Sequence, residues 1–269
     1  MLNLIRMDLY RMFKMKSFYV ILIIMALSVG FTTIVLKQTV KMVQDNPELE
    51  EMMEVEDEQS IGITVSMSDE GALTADMLLV SNIKGMTVAL LLLIFVVLFS
   101  TSDFTSGFIK NIGGQTKSRL MLVGSKSVAV VFYTVFNFAA TIVFQLISNL
   151  LFTGGVEFLH FGKSLKFIGV ELVLHIALSL AVMMVALLIR SNLMTMIIAV
   201  LSTMGFPSLI YTALKKLIPG HPDISEYMVT PNIMGLQPDD YQRVLLISLA
   251  FFVVAILVSA VSYKKRDFV

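Results

Sequence analysis

Residues 167–189 read FIGVELVLHIALSLAVMMVALLI, and this stretch decides the fold class. It carries one acid, Glu171, and one histidine, His175, in a run that is otherwise apolar apart from glycine and serine. A helix rises about 1.5 Å per residue, so about 20 apolar residues cross a hydrocarbon core about 30 Å thick. The stretch therefore predicts a transmembrane helix.

Five other runs have the same character and predict a polytopic, all-α membrane protein. Lipid offers no hydrogen bonds to the backbone, so each run is expected to be helical, and none shows the apolar–polar alternation of a barrel strand. The chain is 57% hydrophobic and 15% charged, whereas soluble domains are about a quarter charged. One transmembrane domain, 1–269, is predicted, with spans near 17–36, 85–101, 127–152, 167–189, 193–213 and 244–263.

The charges between these spans predict the orientation of the chain. If the N-terminus is cytoplasmic, the inner segments hold 12 Lys and Arg against 3 acids, and the outer segments hold 8 against 16. The first outer segment alone has 8 acids between Asp45 and Glu58. Both termini are therefore expected in the cytoplasm, and a net charge of zero gives no indication of a nucleic-acid partner.

The sequence lacks the motifs that would make the chain an enzyme by itself. Without cysteine it has no thiol chemistry and no cysteine–metal site. Gly162, Lys163 and Ser164 match the end of a phosphate-binding loop, but Glu157 stands where the first glycine belongs. His-Glu-x-x-His and Gly-x-Ser-x-Gly are also missing. We expect no catalytic residue, no metal and no cofactor bound by this chain.

Three residues inside predicted spans are candidates for a substrate path: Glu171, His175 and Pro207. Glu171 and His175 are four residues apart on one helical face, an arrangement that can relay protons. Because Glu171 lies about one turn from the outer end of its predicted span, the alternative is a carboxylate that reaches water or Lys166 and serves structure or substrate contact. Pro207 is expected to kink the fifth span, since proline removes a helical hydrogen bond.

Two segments outside the spans also predict short helices. Residues 2–14 have apolar and basic side chains at helical spacing, which predicts an amphipathic helix in the membrane interface. Its candidate residues are Ile5, Arg6, Leu9, Arg11 and Met12. Residues 214–243 mix prolines and lysines with apolar residues, which favours short helices at or dipping into the exterior face, with a plain surface loop as the alternative.

The predicted cytoplasmic loop 102–126 carries an apolar stripe. A short helix there would place Phe104, Phe108, Ile109 and Ile112 on one side, with Lys110 nearby. Such a stripe either docks into a groove of a partner or lies on the bilayer surface, and the residues alone leave both open.

The order of these parts resembles the permease subunits of bacterial ABC exporters of the second export type. The resemblance covers nearly the whole chain and includes the amphipathic start, six spans, SDFTSGFIKN at 102–111 and YKKRD at 263–267. In that family an acid, three residues and a glycine introduce a coupling helix that sits in the ATPase cleft. Here Asp103 replaces the usual glutamate and Phe108 the usual threonine. The coupling residues implied are Asp103, Phe104, Gly107, Phe108, Ile109, Lys110 and Ile112.

The resemblance implies a permease that forms the translocation path and couples to a separate ABC ATPase chain, which holds ATP and Mg. It further implies a second permease copy, identical or different, in the bacterial cytoplasmic membrane. The small six-span form resembles exporters of antimicrobial or amphipathic toxin peptides of the modulin type, so a peptide substrate is expected. A stand-alone proton- or ion-coupled carrier using Glu171 and His175 stays open as an alternative, as does a non-transporting immunity or sensor protein.

Overall fold

The computed structural model describes residues 1–45, 73–105, 107, 119–217 and 225–265. Within those ranges the chain is almost entirely helical and contains no strand. Five of the described helices are long and apolar enough to cross a membrane, or six if one bent pair counts as a single span. The protein is therefore an all-α polytopic membrane protein, as its apolar runs predict.

The described helices follow one another in a simple order. They are α1 (Leu2–Lys14), α2 (Lys16–Asp45), α3 (Ala75–Lys84), α4 (Thr87–Thr105), α5 (Arg119–Ser148) with a π-helix (Asn149–Thr153), α6 (Phe161–Ile189), α7 (Asn192–Thr203), α8 (Phe206–Leu217), α9 (Val229–Met234) and α10 (Tyr241–Lys265). The helix predicted over 2–14 is confirmed as α1. Several spanning helices continue past the predicted spans, because their polar ends remain helical outside the apolar run.

The segment 37–84, predicted as one outer loop, is helical at both of its described ends. α2 continues to Asp45, and α3 begins after Thr74, whose hydroxyl accepts a hydrogen bond from the Met77 N–H at 3.2 Å. Most of α3 is buried, so it belongs to the packed bundle. The acidic run beyond Asp45 lies outside the described residues.

The fourth predicted span begins earlier than its hydropathy indicates, at Phe161. The carboxylate of Asp76 in α3 accepts hydrogen bonds from the backbone N–H groups of Leu159 at 2.6 Å and His160 at 3.1 Å. A carboxylate there satisfies donors that a helix start leaves unpaired and complements the helix dipole. Glu171 consequently lies ten residues, or about 15 Å, inside α6.

The fifth predicted span, 193–213, is not one helix. α7 and α8 meet at an angle of 72°. The break falls at Gly205, whose φ of +73° is a conformation that side chains disfavour. Pro207 lies in the first turn of α8, where its missing N–H costs nothing. The predicted kink at Pro207 is therefore corrected to a break at Gly205. Short helices do occupy the described part of 214–243.

α6 lies at the centre of the bundle, where it packs against α10, α4 and α5. α4 is the most buried of the spanning helices. Aromatic rings fill the core beside it, and the rings of Phe95 and Tyr133 stack with their centroids 3.9 Å apart. This packing places one polar pair in the middle of α6 and a charged group at the ends of α4 and α5.

Candidate functional site

Four charged residues meet where α1, α4 and α5 come together, and we call them the ionic cluster: Asp8, Arg11, Asp103 and Lys126. Arg11 Nη2 lies 2.6 Å from Asp103 Oδ1, and Lys126 Nζ contacts Asp103 Oδ2. Arg11 Nη1 lies 3.7 Å from Asp8 Oδ1. The hydroxyl of Ser125 donates a hydrogen bond to Asp8 Oδ2 at 2.7 Å. One carboxylate, that of Asp103, thus joins all three helices.

Three of the four residues of the ionic cluster are buried, and Arg11 is half-buried. Asp8 is 3% exposed, Asp103 6% and Lys126 3%. The Lys126 ammonium also donates to the Ser100 carbonyl at 3.3 Å and lies 5.0 Å from the ring centroid of Phe99. Buried charges are tolerated only when they are paired and hydrogen-bonded. These contacts therefore hold the three helix ends in one arrangement.

Local sequence explains how α1 reaches this position. Met15 is extended, with φ −72° and ψ 126°, so the chain turns between α1 and α2 instead of continuing as one helix. α1 then packs along α5. A Cβ on Gly124 of α5 would lie 3.0 Å from the Met1 Cε atom, so this glycine permits the close approach. Met12 is fully buried in the same contact region.

The residues predicted for the interfacial helix therefore divide into two groups. Arg6 is exposed, and Ile5 and Leu9 are half-buried, positions that an interfacial helix can have. Arg11, a candidate residue of the predicted interfacial helix, pairs with Asp103 inside the protein. Met12 likewise faces the protein and not lipid. The sequence alone does not show which side chains of α1 face the membrane interface and which face the protein.

The residues predicted for coupling begin at Asp103, which itself belongs to the ionic cluster. Asp103 and Phe104 end α4, and the Arg190 guanidinium lies 5.2 Å from the Phe104 ring centroid. Gly107 has a φ of +67°, which suits a turn that leaves the helix. The remaining candidates, Phe108, Ile109, Lys110 and Ile112, lie outside the described residues.

The sequence did not predict that Asp8 is buried or that it accepts a hydrogen bond from Ser125. Burial raises the pKa of the Asp8 carboxyl above 3.8, against the opposing effects of the Ser125 hydrogen bond and of the Lys126 and Arg11 charges. The folded protein therefore takes up this proton at a higher pH than the unfolded chain does. As the pH falls from neutral through the raised pKa toward 3.8, this proton uptake is expected to increase the free energy of unfolding.

This pH dependence is tested with Asp8→Asn, which keeps an acceptor for Ser125 but cannot titrate. We expect Asp8→Asn to unfold at a higher temperature than wild type at neutral pH, and the difference to shrink as the pH is lowered. Thermal unfolding of both proteins in detergent over the same pH series measures it. A difference that is constant with pH would contradict the expectation.

A second polar site is the buried pair, Glu171 and His175. Both side chains are 0% exposed. His175 Nδ1 lies 2.8 Å from the Glu171 carbonyl oxygen and 3.4 Å from Oε2, and the ring contacts the Phe138 ring edge-on. Among the described residues, no hydrogen-bond partner is found for Glu171 Oε1, Glu171 Oε2 or His175 Nε2. The expectation that Glu171 reaches water is therefore wrong, because α6 begins well before it.

Pro207 does not join the buried pair in a visible path. It lies in α8, whose principal described contacts are with α7.

A polar contact that the sequence did not predict lies between other spans. The Asn82 amide donates to Gln145 Oε1 at 2.5 Å, and the Gln145 amide donates to Thr33 Oγ1 at 3.2 Å. These bonds connect α3, α5 and α2, and interhelical bonds of this kind stabilise membrane bundles modestly.

The fold and these sites define a class: an all-α polytopic membrane protein with a charged cluster at one end of its bundle and a buried Glu–His pair within it. Among the described residues no three His, Asp or Glu side chains are grouped to hold a metal ion. The chain belongs to the DUF2705 family, described as proteins of unknown function, which matches residues 57–269. No curated protein sequence matches the chain.

Proposed function

We propose that this chain is the membrane-spanning permease subunit of an ATP-driven exporter. The observation that carries the proposal is the ionic cluster. Asp103 at the end of α4 and Lys126 near the start of α5 pair with each other on either side of residues 106–118. The two helices on either side of residues 106–118 are thus joined by one buried ion pair, so a partner that binds this segment would act on both helices.

The helices attached to the loop suit such a coupling role. α5 runs for 30 residues without a break before its π-helix, a length of about 45 Å. A displacement of the loop would therefore move a rigid helix that extends through the bundle. α1 is bound to the same point through Arg11, so the N-terminal helix would move with it. Asp103 then serves as an internal positioning residue, and Phe108 and Ile109 are the residues proposed to contact the ATPase.

The remaining features of the proposal rest on charge and resemblance. The excess of Lys and Arg on one side favours both termini in the cytoplasm, in the bacterial cytoplasmic membrane. ATP and Mg would be bound by a separate ABC ATPase, and a second permease copy would complete the translocation path. An amphipathic, cationic peptide is the proposed substrate, since the 8 acids between Asp45 and Glu58 would attract positive charge at the exterior.

Co-purification with the ATPase tests this function. The isolated chain is expected neither to bind nor to hydrolyse ATP, and the native complex is expected to do both. Phe108→Asp should weaken assembly by more than about 100-fold, because an unpaired charge in an apolar contact costs several kcal/mol. Phe108→Leu is the matched control and should assemble. Full assembly and export in Phe108→Asp would reject the coupling role.

A second function is favoured by the complete burial of Glu171 and His175. Ionisable residues inside membrane helices are rare and commonly mark ion or proton sites. A stand-alone carrier that couples transport to a proton on this pair would need no ATPase. The two functions differ in their dependence on the Glu171 carboxyl, which can be removed without changing the shape of the side chain.

A further inference from the structure

A groove of about 380 Å³ lies on the outer surface of the bundle, between α2 and the end of α5 with its π-helix. Its lining is apolar, with Phe31 and Ile34 on α2 facing Ile147 and Leu151. Phe31 is 64% exposed, so the groove is open to the surrounding lipid. The groove is separate from the ionic cluster and from the buried pair.

Two features show that the groove is built into the fold. A Cβ on Gly30 would lie 3.4 Å from Phe152 Cε2 and 3.7 Å from Ser148 Oγ, so α2 approaches the end of α5 and the π-helix closely at the floor of the groove. The opposite wall is the π-helix, and π-helices occur frequently at functional sites. The Asn149 side chain holds that turn, since its amide donates to the Val156 carbonyl at 2.9 Å and its oxygen accepts from the Val156 N–H at 3.1 Å.

A positive charge stands at one end of this groove. Lys37 lies three residues beyond Ile34 on the same face of α2, a rise of about 4.5 Å. Its Nζ atom donates to the Phe152 carbonyl at 2.7 Å, which fixes the ammonium at the rim. An ammonium group has three N–H donors, and this bond occupies one of them. An apolar groove that ends in a tethered ammonium complements a molecule with an acyl chain and an anionic head.

We infer that this groove binds one anionic phospholipid, with an acyl chain along α2 and the phosphate on Lys37. An anionic lipid is favoured over a helix of a second protein copy because the apolar groove ends at the Lys37 ammonium, which complements an anionic head. The bound lipid covers Phe31 and Ile34 and pairs with Lys37, and this holds whether or not the protein is an exporter.

The chain contains no tryptophan, which makes a sharp test available. Phe31→Trp places one fluorescent reporter in the groove, and Phe252→Trp places a control reporter on α10, where Phe252 is also exposed. Each full-length variant is reconstituted in phosphatidylcholine vesicles, and either phosphatidylglycerol or phosphatidylcholine carries bromine to quench the reporter. We expect brominated phosphatidylglycerol to quench the groove reporter roughly fivefold more effectively than brominated phosphatidylcholine. This is the ratio that one lysine near an anionic lipid contributes.

Two charge variants complete the test. Lys37→Gln should abolish the preference at Phe31→Trp, and Lys16→Gln at the other end of the same helix should leave it unchanged. The control reporter should be quenched equally by both lipids. Equal quenching of the groove reporter, or a preference that survives Lys37→Gln, would overturn the inference. Protection of the groove reporter from both lipids would also overturn it and would indicate a protein copy as the occupant.

Discussion

Asp103→Ala is expected to destabilise the protein by about 3–5 kcal/mol, the cost of leaving a buried charge without its partner. Lys126 is buried and its ammonium contacts this carboxylate, so the substitution leaves a cation in a low-dielectric environment. Arg11 loses the same partner, and α1 loses its bond to α4. The temperature at which half the protein stays monodisperse in detergent measures the effect. Faster trypsin cleavage after Arg6 would report the release of α1.

Two controls separate this effect from a general loss of charge. Asp239→Ala removes an exposed acid and should change stability by less than about 0.5 kcal/mol. Asp103→Asn combined with Lys126→Met removes both members of the pair and should be less damaging than Asp103→Ala, since no buried charge is left alone. If Asp103→Ala were as stable as Asp239→Ala, the ionic cluster would have no structural role.

Glu171→Lys is expected to prevent recovery of folded protein, whereas Glu171→Gln is expected to fold as well as wild type. A lysine at this fully buried position would place an ammonium among apolar side chains, and an unpaired charge inside a membrane costs several kcal/mol. Glutamine has the same shape and carries no charge. Yield of monodisperse protein from membranes measures both, and Glu157→Lys at an exposed position before α6 is the control.

Glu171→Gln then distinguishes the two functions. A permease driven by a separate ATPase should retain export within about twofold, because the proposed coupling passes through the loop after Asp103. A proton-coupled carrier should lose transport by more than about 100-fold, since glutamine cannot bind the proton. Transport in vesicles with and without a pH gradient, and with and without ATP, gives the answer.

The sequence was sufficient for those parts of the fold that follow from local composition. The long apolar runs predicted the spans, and helical spacing predicted α1 at its observed bounds. The start of α6 could not be predicted in this way. Lys163 and Lys166 lie close to the apolar run and suggested its end, but the helix begins at Phe161, directly after the two backbone N–H groups that Asp76 of α3 binds. The depth of Glu171 was underestimated for the same reason.

The candidate site depended on contacts between distant residues, which composition does not reveal. Arg11 and Asp103 are 92 residues apart, and a basic residue beside a span is typical of a headgroup anchor. The burial of Asp8 had one available signal, since it is the only acid in the basic segment 1–16. At the fifth span, the proline predicted a kink at position 207, but the positive φ is at Gly205.

The union of α1 with α5 also sets an order for biosynthesis. Asp8 leaves the ribosome well before its partner Ser125, which follows 117 residues later, and Arg11 precedes its partner Asp103 by 92 residues. At about 5–20 residues per second, these delays last roughly 5–23 s. During that time the N-terminal helix has no α5 to pack against. Its apolar face is then expected to lie on the membrane surface. The same amphipathic face of α1 would thus bind the membrane surface in the nascent chain and pack against α5 in the folded protein.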